Sequence, residues 1–409
     1  MTIDQATIGR RLREARLNCG RTQEQVADAV GIVRTAVVAI EAGKRALSTL
    51  ELSRFAALYH RPVTYFLQPG EAEITGDAEL ILHLLPTGWR DDPLVKDAIA
   101  WCSEICRVGT ELETLLGKRP HANPPVYDLA APRRAEEAIE QGLFVAEEER
   151  RRLGLGFAPV ADVADLIATQ GIWAAGVRLP DEMSGLFIRT SSRRMVILVH
   201  LDHPRVRKRF SYAHEYAHAI LDRSTGAIVS TNSNSQELIE KRANAFAAAF
   251  LMPQAGVHWF LGFLDKGDAA RRHYHIYDVA AEDEVDAERR SAPRSQRIGY
   301  EDVSMLAMHF GTSYESVVHR LRDLRILRPS EKQALLETDQ VAAAHDFIRL
   351  ARRDQPDGQD REIVRDIAYL AIEAYRREDV SMGYLRDLSG KLRIEGDELV
   401  RLAEAALDA

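Results

Sequence analysis

Cysteine is scarce in this 409-residue chain. Three residues, Cys19, Cys102 and Cys106, are too few for a disulfide framework, and their use fits a reducing compartment. No stretch of about 18 uncharged apolar residues occurs, so no membrane-spanning helix is expected. The opening MTIDQATIGRRLREA has no apolar stretch before a cleavage site, so no secretory leader is expected and the cytoplasm is the predicted location. No internal repeat and no low-complexity tract is visible. Nor does the net charge of −8 give the whole chain any attraction for nucleic acid.

What is present describes a globular protein: 46% hydrophobic and 28% charged residues. The length suggests two or three domains. Charge is unevenly spread. Residues 1–68 hold ten Lys or Arg against six acids and so carry +4, leaving −12 on the remainder. A small basic module on an acidic body can attract phosphate locally.

The expected fold class is α+β and mainly helical. Residues 7–67 read as five short helices. Ile8, Leu12 and Ala15 form an apolar stripe, Thr22 caps a second helix over Gln23–Ala29, Gly31 makes a tight turn, and Val33–Glu41 form the third. Two more are predicted at Leu50–Tyr59 and Pro62–Leu67. Residues 68–90 carry turn formers and read as a linker. After it come a long helix over Leu94–Leu116, a charged helix near Arg133–Leu153 and another over Val160–Gln170. Strand-like composition follows in Ile172–Val177, Ser184–Arg189 and Met195–Val199. Helices are predicted again over Arg209–Leu221, Gln236–Leu251, Val303–Phe310 and Tyr314–Leu324. Residues 265–297 read as a charged surface excursion, and 331–409 as almost wholly helical. The predicted domains are 1–68, 69–130 (linker and long helix), 131–335 and 336–409; no chemistry is assigned to the last.

The segment Ser211–Leu221 contains H-E-x-x-H. Spacing of i, i+4 stacks His214 and His218 on one helical face, as two corners of a tetrahedral metal site require. Glu215, beside the first ligand, is placed to act as general base on a metal-activated water. A catalytic zinc takes three protein ligands, and Glu240 on the downstream helix is the candidate third. Asn244, one turn further, can hydrogen-bond a ligand from behind. Glu237 and Asp222 are rivals for the third position. Glu237, however, has Lys241 at i+4 for an ion pair, and Asp222 follows its own helix closely. For an oxyanion donor, Tyr212, Tyr216 and His258 stay open.

The run SGLFIR…MVILV…KRFSYAHEYAHAIL, with E-x-x-A-N-x-F-A and L-M-P after it, resembles the ImmA/IrrE metallopeptidase family over roughly residues 131–335. That resemblance implies a gluzincin-like zinc site of His214, His218 and Glu240 with Glu215 as base. It also implies an intracellular protein substrate, such as a repressor cleaved to release transcription. Tyr216-Ala217 stand where many relatives have Leu-Gly, and residues 265–297 are longer than expected.

Residues 8–67 resemble the Cro/repressor-like (xenobiotic-response-element type) helix-turn-helix family. The resemblance rests on Ile8-Gly-Arg-Arg-Leu-Arg, Thr22-Gln-Glu-Gln-Val-Ala27, Gly31-Ile and Ile40-Glu41-x-Gly43-Lys-Arg45. It implies a third helix in the major groove of double-stranded DNA, with Arg34, Thr35 and Val38 facing bases. Gln23, Lys44 and Arg45 would sit near phosphates, and a homodimer on paired half-sites is expected of the motif. Cys102 and Cys106, at i, i+4, read as buried packing.

The leading functional reading is a transcriptional regulator with a zinc-dependent endopeptidase domain. The alternative is a non-proteolytic regulator whose peptidase-like domain senses a ligand or binds a partner. A weaker third is an antitoxin-like binder of a small protein.

Overall fold

The computed structural model describes residues 5–18, 21–59, 66, 78, 80–118, 124–190, 194–231, 233–266, 271–278, 283–290, 296–351, 362–394 and 398–405. The chain divides into two compact units. One comprises residues 1–122, 189–194 and 361–409; the other comprises 123–188 and 195–360.

The first unit opens with α1 (Gln5–Asn18), α2 (Gln23–Val30), α3 (Arg34–Glu41) and α4 (Thr49–Leu58). Thr22 starts α2 through a capping box, its hydroxyl accepting from Gln25 N while the Gln25 side chain accepts from Thr22 N. Gly31 ends α2 at φ +78°, a left-handed conformation that lets the chain turn at once into α3. Leu12, Val26, Val37, Ile40 and Phe55 close a small core. The predicted fifth helix lies outside the described residues apart from the buried Phe66, as do residues 68–77 of the predicted linker. The rest of that linker is not turn-like. Residues 80–84 are helical, with Ile81 and Leu85 buried, and α5 (Thr87–Arg90) follows. Apolar Leu80–Leu85 supplied enough burial to override the flanking turn formers.

The long helix α6 (Pro93–Leu115) begins under an Asp92 cap with Pro93 in its first turn. Cys102 and Cys106 are both buried. Three C-terminal helices, α16 (Glu362–Arg376), α17 (Met382–Lys391) and α18 (Glu398–Ala405), belong to the same unit. Trp101 donates its indole N–H to the Lys391 carbonyl at 3.1 Å, tying α6 to the end of α17.

In the second unit, α7 (Ala135–Arg152) and α8 (Val163–Thr169) precede β1 (Trp173–Val177), β2 (Met183–Arg189) and β3 (Met195–His200). Then come α9 (Arg205–Leu221), β4 (Ala227–Thr231), α10 (Leu238–Leu251) and α11 (Gln254–Phe263). A hairpin of β5 (Arg271–Asp278) and β6 (Asp283–Arg290) occupies the predicted excursion. After it stand α12 (Tyr300–Phe310), α13 (Tyr314–Asp323), α14 (Pro329–Leu335) and α15 (Thr338–Ala351). The main sheet runs β1-β3-β2-β4, with β1 parallel to β3 and β4 antiparallel to β2.

Helix α9 starts four residues earlier than the sequence suggests. Arg205–Lys208 are good helix formers without an apolar stripe, and propagation stops only at Pro204. Strand β4 and helix α11 were not predicted: five residues of AIVST are too short for a period, and Gln254–Phe263 is apolar nearly all round. Among the described residues no single helix is long and apolar enough to cross a membrane.

Candidate metal centre and DNA-binding helix

Residues 211–220 of α9 are all buried, and the helix runs under the sheet with its H-E-x-x-H face toward α10. The four-residue spacing brings His214 Nε2 and His218 Nε2 to 3.2 Å. Glu240, in the first turn of α10, reaches both: Oε2 lies 3.1 Å from His214 Nε2 and Oε1 lies 3.4 Å from His218 Nε2. One ligand atom from each of the three residues falls within 4.8 Å of the others. Ligands about 2.0–2.1 Å from a tetrahedral zinc stand roughly 3.3 Å apart along each edge. The separation of the two nitrogens, and that of each from one Glu240 oxygen, is close to such an edge, and the N, N, O donor set suits that ion, so the residues fit the metal the sequence implied.

The rear nitrogens are held as well. His214 Nδ1 is 3.0 Å from Asn244 Oδ1, one helical turn beyond Glu240. His218 Nδ1 is 2.9 Å from Asp222 Oδ2. An Nδ1–H donated to each oxygen leaves both Nε2 lone pairs pointed at the shared centre. Asp222 is in turn gripped by the Arg242 guanidinium, which also donates to Gln141 Oε1 at 3.0 Å. Asp222, weighed as a rival ligand, bonds instead to the rear nitrogen of His218. The i, i+4 spacing that flagged His214 and His218 could have found it. Glu237 is exposed and forms no ion pair with Lys241.

The local charge favours a cation. Burial would lower the pKa of His218, but its contacts with Asp222 and Glu240 outweigh this and raise it to about 10. Burial would raise Glu240, yet the two histidines hold it at about 2. Glu215 is fully buried, and burial pushes its carboxyl above the usual range despite the neighbouring imidazoles. Neither of its oxygens has a hydrogen-bond partner among the described residues, though the Ser230 hydroxyl of β4 acts against the effect of burial. It fits there because Gly185 stands opposite in β2: a Cβ on Gly185 would lie 2.4 Å from Glu215 Oε1. Glycine inside a strand signals such a close approach, and sequence reasoning passed over it.

Of the three oxyanion candidates, Tyr216 donates its hydroxyl to buried Glu149 at 2.8 Å. Tyr212 belongs to the hydrophobic core and His258 is exposed on α11.

In the first unit, Arg34, Thr35 and Val38 lie on the exposed face of α3, whereas Val37 is core. The apolar look of that helix is therefore half packing. Lys44 is exposed and makes no ion pair. Arg45 pairs with Glu51 at 2.8 Å, and Gln23 donates to Glu41 at 2.9 Å. Glu41 itself receives a two-pronged bond from Arg16 at 2.7 and 3.1 Å, joining α1 to α3.

A helix-turn-helix bundle and a domain with the ligand geometry of a metallopeptidase are thus present in one chain. The comparisons with known proteins assign each to a family. Residues 12–66 match the helix-turn-helix family model. Residues 173–275, which contain His214, Glu215, His218 and Glu240, match the IrrE N-terminal-like domain, family M78 of the peptidases. The chain joins an XRE-type helix-turn-helix domain, a DNA-binding regulatory module, to an ImmA/IrrE-like peptidase domain. No curated protein matches the chain. The crystal structure of Bacillus thuringiensis PlcR in complex with the peptide PapR7 and DNA aligns with 99% of this chain and 100% of its own, at 12% identity. Its TM-score of 0.16 means that the two do not superpose, and nothing is carried over from it.

Proposed function

We propose that this chain is a cytoplasmic transcriptional regulator that binds double-stranded DNA and cleaves an intracellular protein, such as a repressor, with zinc held by His214, His218 and Glu240. The convergence of those three ligand atoms beside a buried glutamate carries the reading. A bound zinc ion would polarise the scissile carbonyl and acidify water. Glu215 takes the proton of the attacking water and returns it to the leaving amine; its raised pKa brings it nearer the working pH of a general base. Asn244 and Asp222 keep the imidazoles in the ligating tautomer.

On DNA, Arg34 and Thr35 supply donors for base edges and Val38 an apolar contact, while Gln23, Lys44 and Arg45 lie toward phosphates. A homodimer on paired half-sites fits the motif. Tethering a peptidase to DNA raises its effective concentration near a DNA-bound target.

The test compares new protein N-termini in native cells carrying wild type or Glu215→Gln, both verified as zinc-loaded. Termini that arise in a defined protein only with wild type are expected. Identical termini under several stresses would instead point to the non-proteolytic regulator.

A further inference from the structure

We propose that an open cavity of about 1260 Å³ within the second unit, bounded by α7, α10, α11 and the end of α13, binds an amphipathic anion: an apolar chain with a carboxylate or phosphate head. Ligand sites are concave and mostly apolar, with a few charged groups that fix orientation. Here Ile139, Leu143, Phe157 and Leu324 supply apolar wall, and Ala248 on α10 keeps the floor low.

The head group falls to Arg320, with Arg150 adding charge beside it. Arg150 and Arg320 are only 4% and 5% exposed, yet neither forms an ion pair with a carboxylate among the described residues. Arg150 gives its nitrogens to the main-chain carbonyls of Gly156, Phe250 and Ala158, at 2.9, 2.5 and 2.5 Å. Arg320 donates Nε to the Met252 carbonyl at 3.0 Å, and among the described residues its two terminal nitrogens have no hydrogen-bond partner. Burial lowers the pKa of each to about 10. The charge of Asp323, one turn along α13, opposes that shift at Arg320 without bonding to it, and a buried cation left without a bonded carboxylate is costly. A planar guanidinium with two free donors is suited to a two-pronged bond with a carboxylate or phosphate.

The rest of the lining agrees in sign. Lys241 forms no ion pair and Arg325 is exposed at the rim. The lining acids are Glu147, which pairs with Arg151 at 3.8 Å, and Asp323, which acts on Arg320 by its charge but forms no ion pair among the described residues. Asn244, which holds His214 Nδ1 at 3.0 Å, also lines the cavity, so a bound chain would rest against the back of the metal centre. His214, Glu215, His218 and Glu240 are not among the residues that line the cavity, and the binding does not depend on the peptidase reading.

The experiment is calorimetric titration of the full chain with dodecanoate, dodecyl phosphate and uncharged dodecanol. Saturable one-to-one binding of at least one anion is expected, with dodecanol at least tenfold weaker. A preference between the two anions identifies the head group. Arg320→Gln should weaken anion binding at least tenfold; because this arginine also supports the Met252 carbonyl, folding is checked by circular dichroism. Ala248→Trp, which fills the floor, should abolish binding in a folded protein. Absence of saturable anion binding, equal affinity for dodecanol, or unchanged binding by Ala248→Trp would each overturn the proposal.

Discussion

At Gly185 the backbone of β2 passes so near the Glu215 carboxylate that a single added methyl group must displace it. The carboxylate has nowhere to retreat, being fully buried against the Gly185–Ser230 pair of β2 and β4. Gly185→Ala should cost about 1–3 kcal/mol, as overpacking of a tight interior does. In a Glu215→Ala background, where the space is vacated, the same change should cost under about 0.5 kcal/mol. Urea unfolding of the four chains completes the cycle, and an equal cost in both backgrounds would show that the methyl group meets something other than Glu215. This contact also marks how far residue types alone can be read. His214, Glu215 and His218 were legible as candidates because i, i+4 spacing is fixed by the helix itself, whereas Glu240 on α10 followed only from the third ligand that a catalytic zinc takes. Ser230 and Gly185 were not, because they meet Glu215 only through strand pairing, which the sequence does not display.

Among elements, the pairing of α1 with α3 depends on one buried ion pair. Arg16 and Glu41 are 8% and 8% exposed, and the bidentate bond to Glu41 raises the arginine's pKa. Removing one partner strands a buried charge, at about 3–5 kcal/mol. Arg16→Met and Glu41→Met should each lower stability by about that amount, and the double variant should lose less than the sum. Circular dichroism melts of the full chain check the stability, and strictly additive losses would argue that the pair is not coupled. DNA affinity should fall with the helix-turn-helix core, since Glu41 ends the same α3 that presents Arg34 and Thr35. Most helices were visible beforehand because caps and stripes are local, as Thr22 is for α2; Asp92 with Pro93 for α6 and Ser313 for α13 are caps of the same local kind that the structure adds. The linker over 80–90 was misread for the opposite reason. Its helical turns exist by virtue of tertiary burial of Ile81 and Leu85, which outweighs weak local propensity.

On the scale of the whole molecule, the chain's ends meet in one unit. Residues 1–122 and 361–409 belong together, a grouping invisible to any local pattern because it joins helices more than 240 positions apart. The link is electrostatic as well as apolar. Glu104 on α6 accepts from Arg107 Nη2 at 3.0 Å and from Lys391 on α17, and Arg393 reaches Asp97 at 2.9 Å. Burial works to raise the Glu104 pKa, but Arg107 and Lys391 outweigh it and hold the carboxyl at about 2. A carboxylate whose pKa falls on folding contributes stability that is fully present above its unfolded value, about 4.5. That stability is lost as pH drops toward about 2. At about 1.4 kcal/mol per pKa unit, the contribution at neutral pH is of the order of 3 kcal/mol. Glu104→Gln should therefore lower the melting temperature of this unit at pH 7. The difference from wild type should hold to about pH 5, then shrink as pH falls to 3. Melts of a chain that keeps Trp101 as its one tryptophan, followed by fluorescence across that range, decide the matter. A gap that stays constant down to pH 3 would mean that the C-terminal helices are held to α6 by apolar packing alone.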